Sequence, residues 1–153
     1  MAVISFEEEL NYQQLVNDAN SLVNAAAELR RILKHFVSHE DFQDSLVSWH
    51  ETEDCPVKFG TPFGDVVAPL DFVNLENGDL VGRLTFFLVN ESVDGKAVAR
   101  QFWSLVFSDR NIIRLNGSVT LLGFGPGQRS HGHFREIVQK MMVDLRCSLP
   151  VVK

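Results

Sequence analysis

The sequence has little of what marks several large protein classes. Its two cysteines, Cys55 and Cys147, stand far apart in a chain of 153 residues. Two thiols so spaced are not a disulfide framework, and a chain of this length can bury a sufficient core without one. The 14 Lys and Arg against 20 Asp and Glu leave a formal charge of −6, which argues against a chain-wide affinity for nucleic acid or an anionic membrane. No apolar run approaches the roughly 20 residues that cross a bilayer, and Met1 to Glu9 is acidic where a signal peptide would be basic and then apolar. The cytoplasm is therefore the expected compartment. The Walker, dinucleotide, nucleophile-elbow and zinc-protease patterns are all missing. No catalytic residue, cofactor or metal is assigned on these grounds, and a binding role is favoured over an enzymatic one.

What the chain does have is the balance of a folded domain, 45% hydrophobic and 22% charged residues, with twelve Phe as a heavy aromatic load. One domain is expected, helical over residues 7–50, a sheet over 55–124 and a C-terminal helix over 130–147. From Tyr12, the positions Leu15, Ala19, Leu22, Ala26, Leu29, Leu33 and Phe36 alternate in steps of three and four, the seam of an α-helix. Val16, Val23, Ile32 and Val37 widen that seam beyond a coiled coil's, which suits a helix laid on a sheet. Glu7, Glu8 and Glu9 complement its N-terminus, and Arg30, Arg31 and Lys34 lie toward its C-terminal end. Ser38 has the character of a cap that breaks this helix and starts a short second one, with Phe42, Leu46 and Trp49 on one face.

From Cys55 the texture turns to β-branched and aromatic residues punctuated by Gly and Pro. Asp94-Gly95 is a two-residue hairpin signal. Taken as the turn, it sets Leu84 opposite Leu105, Phe86 opposite Trp103, and Phe87 opposite Phe102. One face then collects Leu84, Phe86, Leu88, Trp103, Leu105 and Phe107, plainly a core face. A three-residue loop at Asp109-Arg110-Asn111, ending in a left-handed Asn111, places Arg114 beside Val106 and sends Ile113 and Leu115 to the core. Asn116-Gly117 signals a further turn before a last strand. After the Gly125-Pro126-Gly127 loop, Ser130 caps a helix with Phe134, Ile137, Val138, Met141, Met142 and Leu145 on one face. The fold class is α+β, an antiparallel meander of about five or six strands packed on a long N-terminal and a C-terminal helix.

Three places carry the residue types of a site. The second face of the meander gathers Arg83, Phe87, Arg100, Phe102 and Arg114, and Arg with aromatics is the make-up of contact surfaces for a protein partner or for self-association. The same face also reads as a solvated one carrying a few aromatics. Arg129, His131, His133 and Arg135 flank a helix N-terminus, where free N–H groups favour an anion, although the loop matches no phosphate fingerprint. Trp49, Phe59, Phe63, Phe72, Phe86 and Trp103 line either a pocket for an apolar small molecule or a solid core. His131 and His133, two apart, point about 200° apart on a helix and cannot chelate from one face. Ser38 breaks the better-spaced pair His35 and His39.

The order of helices and long hairpins, with Asp94-Gly95-Lys96 and the stretch from Phe107 to Ile113, resembles the nuclear-transport-factor-2-like fold over Leu80 to Leu115. That resemblance implies an α+β cone as the alternative architecture. The chain departs from it by ending in a helix, and no catalytic residue of that superfamily can be matched.

Overall fold

The computed structural model describes residues 3–38, 47–50, 52–124 and 131–152. Its elements, in chain order, are α1 (Phe6–Val37), β1 (Ser48–Trp49), β2 (Val57–Thr61), β3 (Gly64–Ala68), β4 (Leu70–Asn74), β5 (Leu80–Glu91), β6 (Ala97–Phe107), β7 (Asn111–Leu115), β8 (Ser118–Gly123) and α2 (His131–Cys147). The class is α+β, with a long N-terminal helix, a C-terminal helix and a curled antiparallel sheet.

Ser5 starts α1: its hydroxyl accepts from the Glu8 N–H at 3.1 Å, and Glu7, Glu8 and Glu9 sit against the positive end of the helix. The helix stops at Ser38, whose N–H returns to the Lys34 carbonyl at 3.0 Å. Phe42 and Leu46 lie outside the described residues. The expected short helix does not extend to Trp49, which is a strand residue in β1 opposite Phe59.

The sheet order is β1-β2-β3-β5-β6-β7-β8, every neighbouring pair antiparallel, with β4 also on β5. β3 and β4 keep one continuous register on β5 across Pro69, whose carbonyl accepts from the Thr85 N–H. They are one strand divided where proline has no N–H to give. Counting them together, and setting the two-residue β1 aside, the expected meander has six strands.

Direct partners on neighbouring strands share a face. The inner face runs through Leu84, Phe86 and Leu88 of β5 and Trp103, Leu105 and Phe107 of β6, each at most 1% exposed. Both helices cover it: Leu22, Leu29, Leu33 and Phe36 of α1 and Phe134, Val138, Met141 and Leu145 of α2 belong to the same buried cluster. Phe36 stacks on Phe134 with ring centroids 6.5 Å apart, joining the helices over the sheet. The Trp103 indole N–H donates to Asp144 Oδ2 at 3.0 Å, which ties α2 to β6.

Two irregularities shape the sheet. Gly95 (φ 82°) closes a loop one residue longer than the Asp94-Gly95 reading, because Glu91 pairs with Ala97 and the Ser92 N–H bonds the Lys96 carbonyl. A bulge in β6 at Phe102 then removes that extra residue, so Phe86 still faces Trp103 and Leu84 still faces Leu105. A second bulge lies in β7. Arg114 pairs with Val106 as expected, but Ile112 rather than Ile113 is the buried residue opposite Phe107. Asn111 is not left-handed; Asn116 (φ 48°) and Gly117 (φ 85°) are, and together they make the two-residue turn into β8.

The Phe107 ring lies across its cross-strand partner Gly82, where an added Cβ would come within 2.3 Å of the ring. Phe107 is itself 0% exposed and packs edge-on to Phe124, so it has nowhere to retreat. Gly82→Ala is therefore expected to cost about 1–3 kcal/mol through overpacking, read from the urea unfolding midpoint; an unchanged midpoint would mean that the ring is free to move.

Candidate sheet-face site

The side of the sheet away from the helices carries the groove. Its cross-strand rows follow from the register: Asp71, Arg83, Val106, Arg114 and Val119 in one; Pro69, Thr85 and Ser104 in the next; Val67, Phe87 and Gln101 in a third. The middle row is made of short side chains between two rows of long ones. A trough of about 440 Å³ results, lined by Pro69, Asp71, Arg83, Thr85, Phe87, Gln101 and Ser104. No described residue of either helix lines it.

One wall is held by a charged pair. Arg83 Nε donates to Asp71 Oδ1 at 3.0 Å and Nη2 to Oδ2 at 2.5 Å, and this hydrogen bonding raises the arginine above its ordinary pKa. Both side chains are about half exposed, so the pair shapes the surface more than it stabilises the fold. The other wall is Phe87, partly exposed opposite Gln101. Further along the same side, Val119 and Leu121 of β8 are 84% and 77% exposed around Arg114.

Of the five residues expected on this face, Arg83, Phe87 and Arg114 are there, and Arg100 and Phe102 are not. Between the longer hairpin loop and the bulge every side chain of β6 is inverted relative to the simple register. Gln101 takes the place opposite Phe87, and Arg100 moves to the inner side opposite Leu88. Phe102 packs against the core, its ring edge-on to Phe86 at 6.3 Å. The hairpin register alone already puts Thr85 and Ser104 on this face, whereas sequence reasoning missed Gln101, Pro69 and Asp71. For Gln101 the signal was local: Ser92 precedes Asp94 by two, and its hydroxyl bonds the Asp94 carboxylate inside the loop, a turn larger than two residues.

The six aromatics proposed for a pocket do not line one: Trp49 stacks on Phe59 at 6.3 Å and Phe86 lies edge-on to Trp103 at 5.3 Å. Phe59, Phe86 and Trp103 are solid core at 1% exposure or less, Trp49 packs at its edge, and Phe63 and Phe72 are 40% and 43% exposed elsewhere. Of the anion candidates, Arg129 lies outside the described residues, and His133 and Arg135 are exposed on α2, whose first residue is His131. Groups held away from their ordinary pKa elsewhere are exposed local pairs: Arg31 is raised by hydrogen bonding to Glu28, and Asp94 is lowered by Ser92. Neither adjoins a nucleophile and base arrangement. Comparison with protein-family models, curated proteins and solved structures found no match.

Arg100 is the one charged residue that the bulge turns inward, and its Nε is buried without a hydrogen-bond partner. A desolvated N–H of that kind opposes folding. Arg100→Met is expected to leave stability unchanged or raise it by about 1 kcal/mol; a clear fall in thermal midpoint would mean that the guanidinium is held by a favourable contact.

Proposed function

We propose that this protein is a non-catalytic, cytoplasmic interaction domain, and that the outer face of the curled sheet receives a segment of a partner protein. The observation that carries the reading is the trough over Thr85 and Ser104, uncovered by the helices and walled by the Arg83–Asp71 pair and Phe87. Hydroxyls, an amide, a ring and a fixed guanidinium are the mixture that reads a peptide, with polar groups for backbone and an apolar wall for a side chain. Val119 and Leu121 extend the apolar surface beyond the trough. Of the aromatics that a small-molecule pocket under the long helix would use, Phe59, Phe86 and Trp103 are buried in the core, with Phe86 edge-on to Trp103.

The test is selection of peptides from a random displayed library on the wild-type protein. Bound peptides should shift the amide resonances of Thr85, Phe87, Gln101 and Ser104. Thr85→Arg, which fills the trough from a partly exposed position, should weaken them about tenfold or more, roughly 1.4 kcal/mol. Selected peptides whose shifts map elsewhere, or survive Thr85→Arg, would count against the outer face as the contact surface.

A further inference from the structure

The apolar surface of α1 exceeds what the sheet covers. The buried part of the helix begins only at Leu22, so the first half of a 32-residue helix makes no fully buried contact. A segment that short is marginal on propensity alone, and most helical stability comes from packing. Beside the buried seam runs a second stripe in which Tyr12 and Val23 are 58% and 52% exposed. Val16 and Ala19 are partly exposed and Ala27 is exposed. These positions recur at helical spacing, with Glu9 preceding the stripe and Arg30 ending it.

The stripe reads alike from both ends. Glu9 with Arg30, Tyr12 with Ala27, Val16 with Val23, and Ala19 with Asn20 are all centred on the same point, between Ala19 and Asn20. We propose that α1 is the interface of a homodimer, in which the α1 of a second copy packs antiparallel about a two-fold axis at that point. A two-fold contact requires residue i to face j while j faces i, and these pairs satisfy it chemically as well as in position. Each Glu9 meets an Arg30 at either end, Tyr12 covers the small Ala27, the valines pack together, and Ala19 lets the axes approach at the crossing.

Charge selects both the direction and the partner. In a parallel pair Glu9 would oppose Glu9 and Arg30 would oppose Arg30, like charges that disfavour the contact. Antiparallel helices also set opposite dipole ends side by side. Arg30 sits 5.6 Å from the Trp49 ring centroid, so the cation is held on the flank where the acidic start of the second helix arrives. From Glu9 to Arg30 the stripe is about 30 Å long. The dimer would leave both outer sheet faces uncovered, because α1 lies on the opposite side of the sheet.

Sedimentation equilibrium of the full chain at micromolar concentration should give twice the monomer mass. Val16→Glu combined with Val23→Glu should give a folded monomer by circular dichroism, with association weakened about tenfold or more. Should that variant misfold, Glu9→Lys alone should weaken the dimer, and adding Arg30→Glu should restore it. In a Cys147→Ser background, Asn20→Cys should form a disulfide-linked dimer on mild oxidation while Ala27→Cys should not, and chains carrying Tyr12→Cys and Ala27→Cys should cross-link when mixed. A wild-type monomer overturns the proposal. So does efficient self-cross-linking at Ala27→Cys, which marks a parallel pair, or a dimer that Phe87→Ser disrupts and the Val16/Val23 variant does not.

Discussion

Trp103 has to bury the largest side chain in the core and satisfy an indole N–H in the same step. The ring is 0% exposed, so water is not available to it, and the acceptor must be brought in by the fold. Asp144 of α2 supplies it at 3.0 Å. That single bond fixes which turn of α2 lies over β6, and with it the depth at which Phe134, Val138, Met141 and Leu145 enter the core. Phe86, edge-on to Trp103 at 5.3 Å, then sets the register of β5 on β6 from the other side. The sheet curls around this pair, and α1 closes the core over it.

Keeping Trp103 opposite Phe86 has a structural consequence elsewhere in the hairpin. The loop at Ser92–Lys96 contains one residue more than a tight turn, so the strands reach the core out of phase unless one residue is removed. Phe102 is that residue. As a bulge it bends β6 and packs its ring inward, which an exposed polar residue at the same position could not do without cost. The inversion between loop and bulge is what turns Arg100 inward and brings Gln101 to the trough. The outer surface is thus a by-product of how the core register is kept.

Much of the fold could be read from periodicity, because burial on one face imposes a strict pattern. The α1 seam, the inner rows of β5 and β6, the Asn116-Gly117 turn and the apolar face of α2 all follow from apolar spacing and turn chemistry. The sidedness of residues 97–102 could not, since Ala97-Val98-Ala99 has no polar alternation to report a phase shift. Ile112 and Ile113 are likewise chemically equal, so the sequence carries no preference as to which is buried, and the second bulge decides. The spacing of Phe42, Leu46 and Trp49 is helical, but pairing of Trp49 with Phe59 overrides that local pattern. The candidate site was legible through Arg83, Thr85, Phe87, Ser104 and Arg114, the members outside the inverted stretch.

The two surfaces left exposed differ in what they can recognise, and the difference follows from geometry. The outer face of the sheet is pleated, with a trough wherever a row of short side chains runs between longer ones; its information lies in depth and in fixed polar groups such as the Arg83–Asp71 pair. The exposed stripe of α1 from Glu9 to Arg30 carries a linear order of acid, apolar and base. A linear order can be matched by another helix, and matching to itself in reverse is what the positions of Glu9 and Arg30 allow. A helix paired in that way would gain the packing that its first half lacks in the single chain, beyond the core contacts that begin at Leu22.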